Sequence, residues 1–441
     1  MRSIDERFQL AAHGTSIRTE ALAGLTTFLT MAYIIFVQPA VLSACGMDFG
    51  SVLVATCLST ALATMLMGLV ANYPIAVAPA MGHNFFFAYS VVLAMKVPWQ
   101  VALGAVAIAG IVFVLTAGIG LRERLITAIP PSIKHAIAAG IGLLIALVGL
   151  EWAGLVVGAP GTLVALGDLR SRPVLLVIAA LAVTSVLLAR RVRGAFLWGI
   201  VASTAIGLPL GIVRFQGIVS RPPSIAPTFL QLDIRGAFAP GMVTVVFIFF
   251  FLALFDSIGT LVAVGSQAGL MRGGTLPHAR EALLADAIGT VAGAMLGTST
   301  VTAYIESGAG VAAGGRTGLA SLVTAALFLL SLFLYPLVRM VGGGYDVAGR
   351  TLYPVIAAPL ILVGTMMIGG LRQIVWEDPT EAIPAFLTMI IMPLAVSITE
   401  GVAFGVIAYV VLKVATGQAR TVHRLMYVFA FLFLIRYAFV R

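Results

Sequence analysis

The chain has 441 residues, of which 61% are hydrophobic and only 10% charged, with a formal net charge of +9 and a mean hydropathy of +1.10. Ordinary soluble domains carry roughly 25% charged residues, so a cytosolic enzyme, a disordered chain and a nucleic-acid-binding domain are excluded. The 26 Lys and Arg residues are scattered between apolar runs and form no basic tract, so they encode topology and not a nucleic-acid partner.

What remains is an all-α polytopic membrane protein whose partner is the lipid bilayer. Arg2, Arg7 and Arg18 precede the first apolar segment, and no small-residue cleavage site follows, so residues 1–18 read as an amphipathic lead-in rather than a secretory signal. A bilayer core of about 30 Å needs about 20 apolar residues per helix. By that measure fourteen transmembrane segments emerge, at 21–42, 51–71, 75–95, 99–121, 133–155, 174–189, 195–212, 241–265, 282–297, 299–315, 319–340, 353–370, 382–398 and 401–416. With the first loop inside, Arg122, Arg124, Lys134, Arg190, Arg191, Arg193, Arg272, Arg280 and Arg316 also fall inside. That bias places both termini in the cytoplasm, in the inner (plasma) membrane. Cys45 and Cys57 read as free, packed thiols. The tail, residues 417–441, ends in an apolar stretch interrupted by Arg436 and reads as an interfacial helix rather than a fifteenth span.

Two segments are anomalous. Segment 3 opens with NYPIAVAPAMGHN (72–84), where Pro74, Pro79 and Gly82 deny a continuous helix and Ile75 to Ala78 favours extended backbone. Segment 10 opens with GTSTVTAYIESGAG (297–310), whose run from Thr300 to Ile305 reads as a short strand before a glycine-rich helix start. Each break occupies the third position of a seven-segment half. An odd number of spans per half inverts the second half relative to the first, so the pattern is 7+7 inverted repeats, the signature of a secondary transporter with its site at the midplane.

Paired across the repeat axis, the two strands would leave half-helix starts facing a common cavity. Asn84 and Glu306 stand at those junctions. The carboxamide donates and accepts while the carboxylate only accepts, so together they suit a ligand with adjacent N–H and C=O groups. Segment 8, FIFFFLALFDSIGTLVAVG (247–265), is apolar except for Asp256, Ser257 and Thr260. A mid-span carboxylate costs at least about 2.5 kcal/mol on insertion scales, so Asp256 must face a partner or water. Either acid is a candidate proton carrier, and a sodium site stays open. His83 either titrates in the site or hydrogen-bonds the broken backbone. Phe85, Phe86 and Phe87 either stack on a planar ring or pack. Asp286 precedes a glycine stripe, Gly289, Gly293 and Gly297, that suits close helix packing. Five dispersed histidines give no spacing for a metal or an intramembrane enzyme, and no cofactor is expected.

The strings TEALAGLTTFLTMAYIIFVQP (19–39), APAMGHN (78–84), LFDSIGT (254–260), GTSTVTAYIESGAGVAAGGRTG (297–318) and PAFLTMIIMPLAVSITEGVAFG (384–405) resemble the nucleobase cation symporter-2 (xanthine/uracil permease) family, in its AzgA-like hypoxanthine/guanine permease branch. The resemblance implies a proton-coupled importer of purine nucleobases such as hypoxanthine, guanine or adenine. It implies a core domain from residues 1–121 and 241–340, and a gate domain from 122–240 and 341–416 through which two copies form a homodimer. It assigns substrate contacts to Asn84, Asp256 and Glu306. His83, Phe85, Ser257 and Ser307 join them as candidate contacts from their place beside those three, and Asp256 and Glu306 are the candidate proton couplers. His83 and the three phenylalanines depart from the family's usual pattern around Asn84, as Ile258 does after Ser257, and these departures bear on which purine is preferred. The rival expectation is an anion transporter or exchanger of the same inverted-repeat fold, which would want a cation near the half-helix ends.

Overall fold

A computed structural model of the protein describes residues 2–119, 129–239, 241–271, 276–347 and 349–439. Arg122, Arg124 and Arg272 of the predicted inner loops, and Arg441 of the tail, lie outside the described residues.

A short helix, α1 (Arg2–Phe8), leads into α2 (Ile17–Met31), which Ser16 caps by accepting the Thr19 N–H. The turn at Ala32 and Tyr33 joins α2 to α3 (Ile34–Ser43). Next, α4 (Phe49–Leu66) starts on the Asp48 cap and runs into a π-helical turn that stops at Asn72, whose φ is 56°. Asparagine is among the few residues that tolerate that left-handed conformation. Three residues of strand, β1 (Val77–Pro79), precede α5 (Met81–Phe85), and a π-helical stretch carries α5 on to Ala94. The helices α6 (Trp99–Ile119) and α7 (Pro131–Trp152) follow, then a hairpin of β2 (Val156–Ala159) and β3 (Leu163–Leu166), then α8 (Arg172–Ala189) and α9 (Ala195–Gly207).

An irregular surface stretch leads to α10 (Met242–Gln267) and α11 (Ala279–Leu296). A second three-residue strand, β4 (Val301–Ala303), precedes α12 (Ser307–Ala312), α13 (Gly318–Ser331) and α14 (Tyr335–Gly342). A hairpin of β5 (Tyr345–Val347) and β6 (Arg350–Leu352) leads to α15 (Pro354–Met367), α16 (Pro379–Leu394), α17 (Ile398–Ala415) and α18 (Arg424–Phe439). Proline sits in the first turn of α7, α8, α14, α15 and α16, where its missing N–H costs nothing.

Among the described residues, nine helical stretches are long and apolar enough to cross a membrane. Their apolar side chains point outward as well as inward: Leu62 and Met65 on α4, Leu69 on the π-helical turn after it, and Leu175, Ile178 and Val186 on α8, are exposed. In water such faces would drive aggregation, whereas lipid tails cover them. Packing divides the helices into two groups. In one, α2 packs on α12 and α13, α4 on α3, α11 and α13, and α6 on α10 and α11. In the other, α7 packs on α15 and α16, α8 on α9 and α15, and α16 on α17. The terminal α18 lies against α17, where the Tyr437 hydroxyl and the Glu400 carboxylate bond.

The first group is drawn tight by backbone-to-backbone contact. A Cβ on Gly318 would lie 1.9 Å from the Gly68 carbonyl oxygen, and one on Gly68 would lie 2.6 Å from that of Gly318. Small residues let membrane helices approach to van der Waals distance, which replaces the hydrophobic effect that lipid cannot supply. Gly318→Ala should therefore force α13 off the end of α4, at an overpacking cost of about 1–3 kcal/mol. Thermal unfolding in detergent checks this, with Gly259→Ala, which meets nothing within 4 Å, as the control expected to leave stability in place.

Candidate functional site

A strand at bilayer depth exposes N–H and C=O groups that lipid cannot satisfy. β1 and β4 meet this need in each other, pairing antiparallel with Val77 opposite Ala303, Ala78 opposite Thr302 and Pro79 opposite Val301. The ladder is extended at its ends by Ala80 N–H to the Thr300 carbonyl at 3.0 Å and Tyr304 N–H to the Ala76 carbonyl at 2.9 Å.

A two-stranded ladder still has two outer edges, and a threonine covers each. Thr64 on α4 accepts the Val77 N–H at 2.9 Å and donates to the Val77 carbonyl at 3.0 Å. Thr290 on α11 accepts the Val301 N–H at 3.2 Å and donates to the Val301 carbonyl at 2.9 Å. One hydroxyl on a helix thus does the work of a neighbouring strand residue. Ser307 accepts the Ala76 N–H at 3.0 Å, Asp286 accepts that of Ala303 at 3.1 Å, and the Tyr304 hydroxyl donates to the Pro79 carbonyl at 2.5 Å.

Beside this ladder lies a cavity of about 160 Å³. That is the size of an engineered cavity, about 150 Å³, that takes up a single aromatic ring. Its polar wall comes from Tyr33, Asp256, Thr260, Thr302 and Glu306, with Met81 and Gly82 presenting the first turn of α5; the facing wall is Val363, Met366 and Met367 of α15. Glu306 accepts from the Tyr33 hydroxyl at 2.8 Å, and Asp256 accepts from the Thr302 hydroxyl at 3.0 Å. The two carboxylates share one small space, and an ionised carboxylate has about four lone-pair sites, so both keep acceptor capacity for N–H groups of a ligand.

A second cavity of about 390 Å³ adjoins the first, sharing Gly82, Asp256, Thr260, Ile305 and Met367 with it. His83, Lys134, His135, Phe255 and Gly259 line its remaining wall, and the Lys134 ammonium sits 4.9 Å from the centre of the Phe255 ring. Asp256 therefore faces both spaces.

The structure brings together only part of the predicted set. Asp256 and Glu306 line the smaller cavity, and His83 lines the larger. Asn84 is fully buried, and its side-chain oxygen accepts from the Ser299 hydroxyl; Gln38 continues that network by donating to Ser299 at 3.4 Å and to Thr298 at 2.9 Å. The side-chain nitrogen of Asn84 has no hydrogen-bond partner among the described residues, and Asn84 does not line the cavity. Phe85, Phe86 and Phe87 are wholly buried as well: Phe85 stacks on Tyr89 with centroids 5.6 Å apart, and Phe86 packs on Phe249 at 4.7 Å. Ser257 is buried and lines neither cavity, and Ser307 and Asp286 are engaged with backbone N–H groups at the strands. Sequence reasoning passed over Tyr33 and Thr302. A phenol inside an apolar span needs a partner for its hydroxyl, and that was the available signal for Tyr33.

Losing an edge partner strands two buried backbone groups. Thr290→Val should lower stability by about 1–3 kcal/mol, and Thr290→Ser, which keeps the hydroxyl, should restore most of it. Thermal unfolding of the detergent-solubilised variants distinguishes the two.

A family model for xanthine and uracil permeases, described as a permease family, matches residues 18–404. The adenine permease AdeP of Escherichia coli is 45% identical over 438 residues, covering 99% of this chain and 96% of its own length. The guanine/hypoxanthine permease PbuG of Bacillus subtilis is 45% identical over 446 residues, covering 98% of this chain and 99% of its own. Among solved structures, the transmembrane domain of the cyanobacterial bicarbonate transporter BicA superposes with a TM-score of 0.60 over 89% of this chain and 97% of its own, at 17% identity. At that identity the likeness is one of fold alone.

Proposed function

The chain belongs to the nucleobase cation symporter-2 family of integral membrane permeases, which are transporters and not enzymes, and on that premise we propose that it imports purine nucleobases by proton symport. The observation that carries this reading is the pair of carboxylates, Asp256 and Glu306, in one cavity of about 160 Å³. A purine is planar, offers ring N–H groups and, in adenine and guanine, an exocyclic amine, all of which suit carboxylate acceptors. An anion would meet two like charges there, which disfavours the anion-transport alternative despite the shared fold.

Asp256 and Glu306 hold the base and carry the coupling proton, with Tyr33 and Thr302 orienting them. Asp256 takes the leading part in coupling, because it alone of the two acids faces both cavities. His83 acts from the wall of the larger cavity. Asn84, Ser257 and Ser307 support the site from behind, and Phe85 holds the packing beneath it.

The same reading organises the chain as fourteen spans in two inverted sevens. The nine long helices supply nine of these positions; the shorter helical stretches Met81–Ala94, Ala195–Gly207 and Pro379–Leu394, with α11 and the unit of β4 and α12, supply the rest. The equivalent roles of Thr64 and Thr290, each one span before its strand, support the repeat. The two packing groups support a core domain of residues 1–121 and 241–340 and a gate domain of 122–240 and 341–416, moving in alternating access. Two copies pair through the gate domain in the inner membrane, with both termini cytoplasmic and residues 417–441 along the membrane surface.

Uptake of radiolabelled adenine and hypoxanthine into proteoliposomes tests this. Concentrative uptake that collapses with a protonophore is the expected result. Asp256→Asn and Glu306→Gln should each lower it by about 100-fold or more, as loss of a charge-assisted hydrogen bond and of the proton carrier together imply, while both variants still fold. Full activity in either variant would remove that residue from the mechanism, and uptake of bicarbonate or sulfate in place of the bases would overturn the substrate class.

A further inference from the structure

A third cavity, of about 650 Å³, opens at the face of the molecule where the N-terminal segment lies. Its wall carries Arg7, His13, His278 and Arg316, with Tyr73 buried at its base, and among the described residues no carboxylate lines it. It has the opposite chemistry to the transport cavity: donors and cations in place of acids. We propose that this cavity is a binding site for a phosphate group, carried either by a soluble phosphate ester or by the headgroup of an anionic phospholipid.

The two guanidinium groups are held in place in advance. Arg7 donates through Nη2 to the Leu69 carbonyl at 2.7 Å, and Arg316 donates through Nη1 to the carbonyls of Val311 at 2.8 Å and Gly315 at 2.7 Å. A guanidinium carries five N–H donors in a rigid fork, so one anchored nitrogen leaves the others to meet phosphate oxygens with little further ordering. Glu20 is fully buried and is engaged by the backbone N–H groups of Arg316 at 2.8 Å and Thr317 at 3.3 Å. Glu281, 3.9 Å from His278, offsets that imidazole, and Asp5 and Glu6 adjoin Arg7 on α1 without lining the cavity, so the site's charge rests on the two guanidinium groups. Two carbonyl ends in the wall oppose an anion, that of α10 at Ala268 and Gly269 and that of the π-helical turn after α4 at Leu69 to Ala71, so the guanidinium groups must outweigh both.

Membrane topology alone accounts for basic residues at this face. It does not account for Tyr73. That side chain is only 3% exposed, it lines the cavity, and its hydroxyl has no hydrogen-bond partner among the described residues. A buried hydroxyl is ordinarily paired, and a phosphate oxygen seated between Arg7 and Arg316 would accept from it. Asn72, beside Tyr73, already links the parts the ligand would span: it donates to the Phe8 carbonyl at 3.3 Å and accepts the Gly318 N–H at 2.8 Å. Phosphate binding would therefore fasten the N-terminal segment to the end of α4 and to the turn at Arg316 that leads into α13. Leu69 and Val70, exposed at the rim, suit the acyl chains of a lipid, whereas a soluble ester makes no use of them.

The test uses the full chain in two arms. In uncharged detergent, thermal unfolding is followed against inorganic phosphate and a nucleoside monophosphate, with chloride at matched ionic strength as the reference. In nanodiscs, phosphatidylcholine alone is compared with phosphatidylcholine plus phosphatidylglycerol. A phosphate-dependent rise in melting temperature is expected, and Arg7→Gln and Tyr73→Phe should each weaken it by about tenfold in apparent affinity while nucleobase uptake persists. A rise in the detergent arm assigns the site to a soluble ester, and a rise only with phosphatidylglycerol assigns it to the headgroup. No rise in either arm, or rises that both variants retain in full, would overturn the proposal.

Discussion

The demand that every backbone N–H and C=O inside a bilayer find a partner shapes this protein more than any other constraint. Helices meet the demand internally, but β1 and β4 cannot, and each extends for only three residues. Their mutual pairing satisfies the inner edges, and Thr64 and Thr290 satisfy the outer ones. Much of the surrounding architecture follows from keeping those partners in place. The close contact between Gly68 and Gly318 brings α4 and α13 together beneath the ladder, and Asp286 and Ser307 anchor its remaining N–H groups. A site built on such a ladder is rigid because moving any one group would leave several others unpaired.

That rigidity explains how two carboxylates can occupy one cavity. A charge at bilayer depth is tolerable only with a hydrogen-bonding partner or water. Tyr33 serves Glu306 and Thr302 serves Asp256, each from an element that the ladder and its helices already hold. The donors are neutral hydroxyls rather than cations, so the acids keep their ability to accept from a neutral ligand. Arg or Lys at the same points would quench both.

Apolar run lengths made nine long spanning helices legible in the sequence, and Pro74 and Pro79 marked the place where a helix could not continue, whereas Gly82 lies inside α5. The residues of the site were legible to the extent that they broke a uniform background. Asp256 and Glu306 are conspicuous in apolar surroundings, and both line the cavity. Tyr33 and Thr302 were not conspicuous, because a phenol and a hydroxyl are ordinary in a membrane helix or strand; only the approach of a distant segment reveals them as partners of an acid. Asn84 shows the converse. Its polarity at the break marked it as a ligand contact; in the structure Ser299, which comes from far along the chain, engages its side-chain oxygen, and Asn84 is not among the residues that line the cavity. A sequence read locally cannot say on which side of a three-residue strand a side chain finds its partner.

The two walls of the transport cavity differ in kind, and the difference bears on how it could open. Its polar side chains come from α10, from the turn between α2 and α3 and from the segment around β4, all in one packing group, while Val363, Met366 and Met367 come from α15 in the other. Under the proposed alternating access, a displacement of one group against the other would leave the hydrogen bonds of Tyr33 to Glu306 and of Thr302 to Asp256 unbroken, because both partners of each pair travel together. What slides is a wall of two methionines and a valine, which has no directional bonds to lose, and methionine adapts readily to a changed surface. At the cavity the arrangement concentrates specificity on the body that holds the ladder and leaves the facing contact to dispersion. The directional bonds between the groups lie elsewhere, where Trp152 donates to the Tyr89 hydroxyl at 2.8 Å and Ser90 to the Val396 carbonyl at 3.2 Å, so the barrier to motion need not include the energy that recognises the ligand.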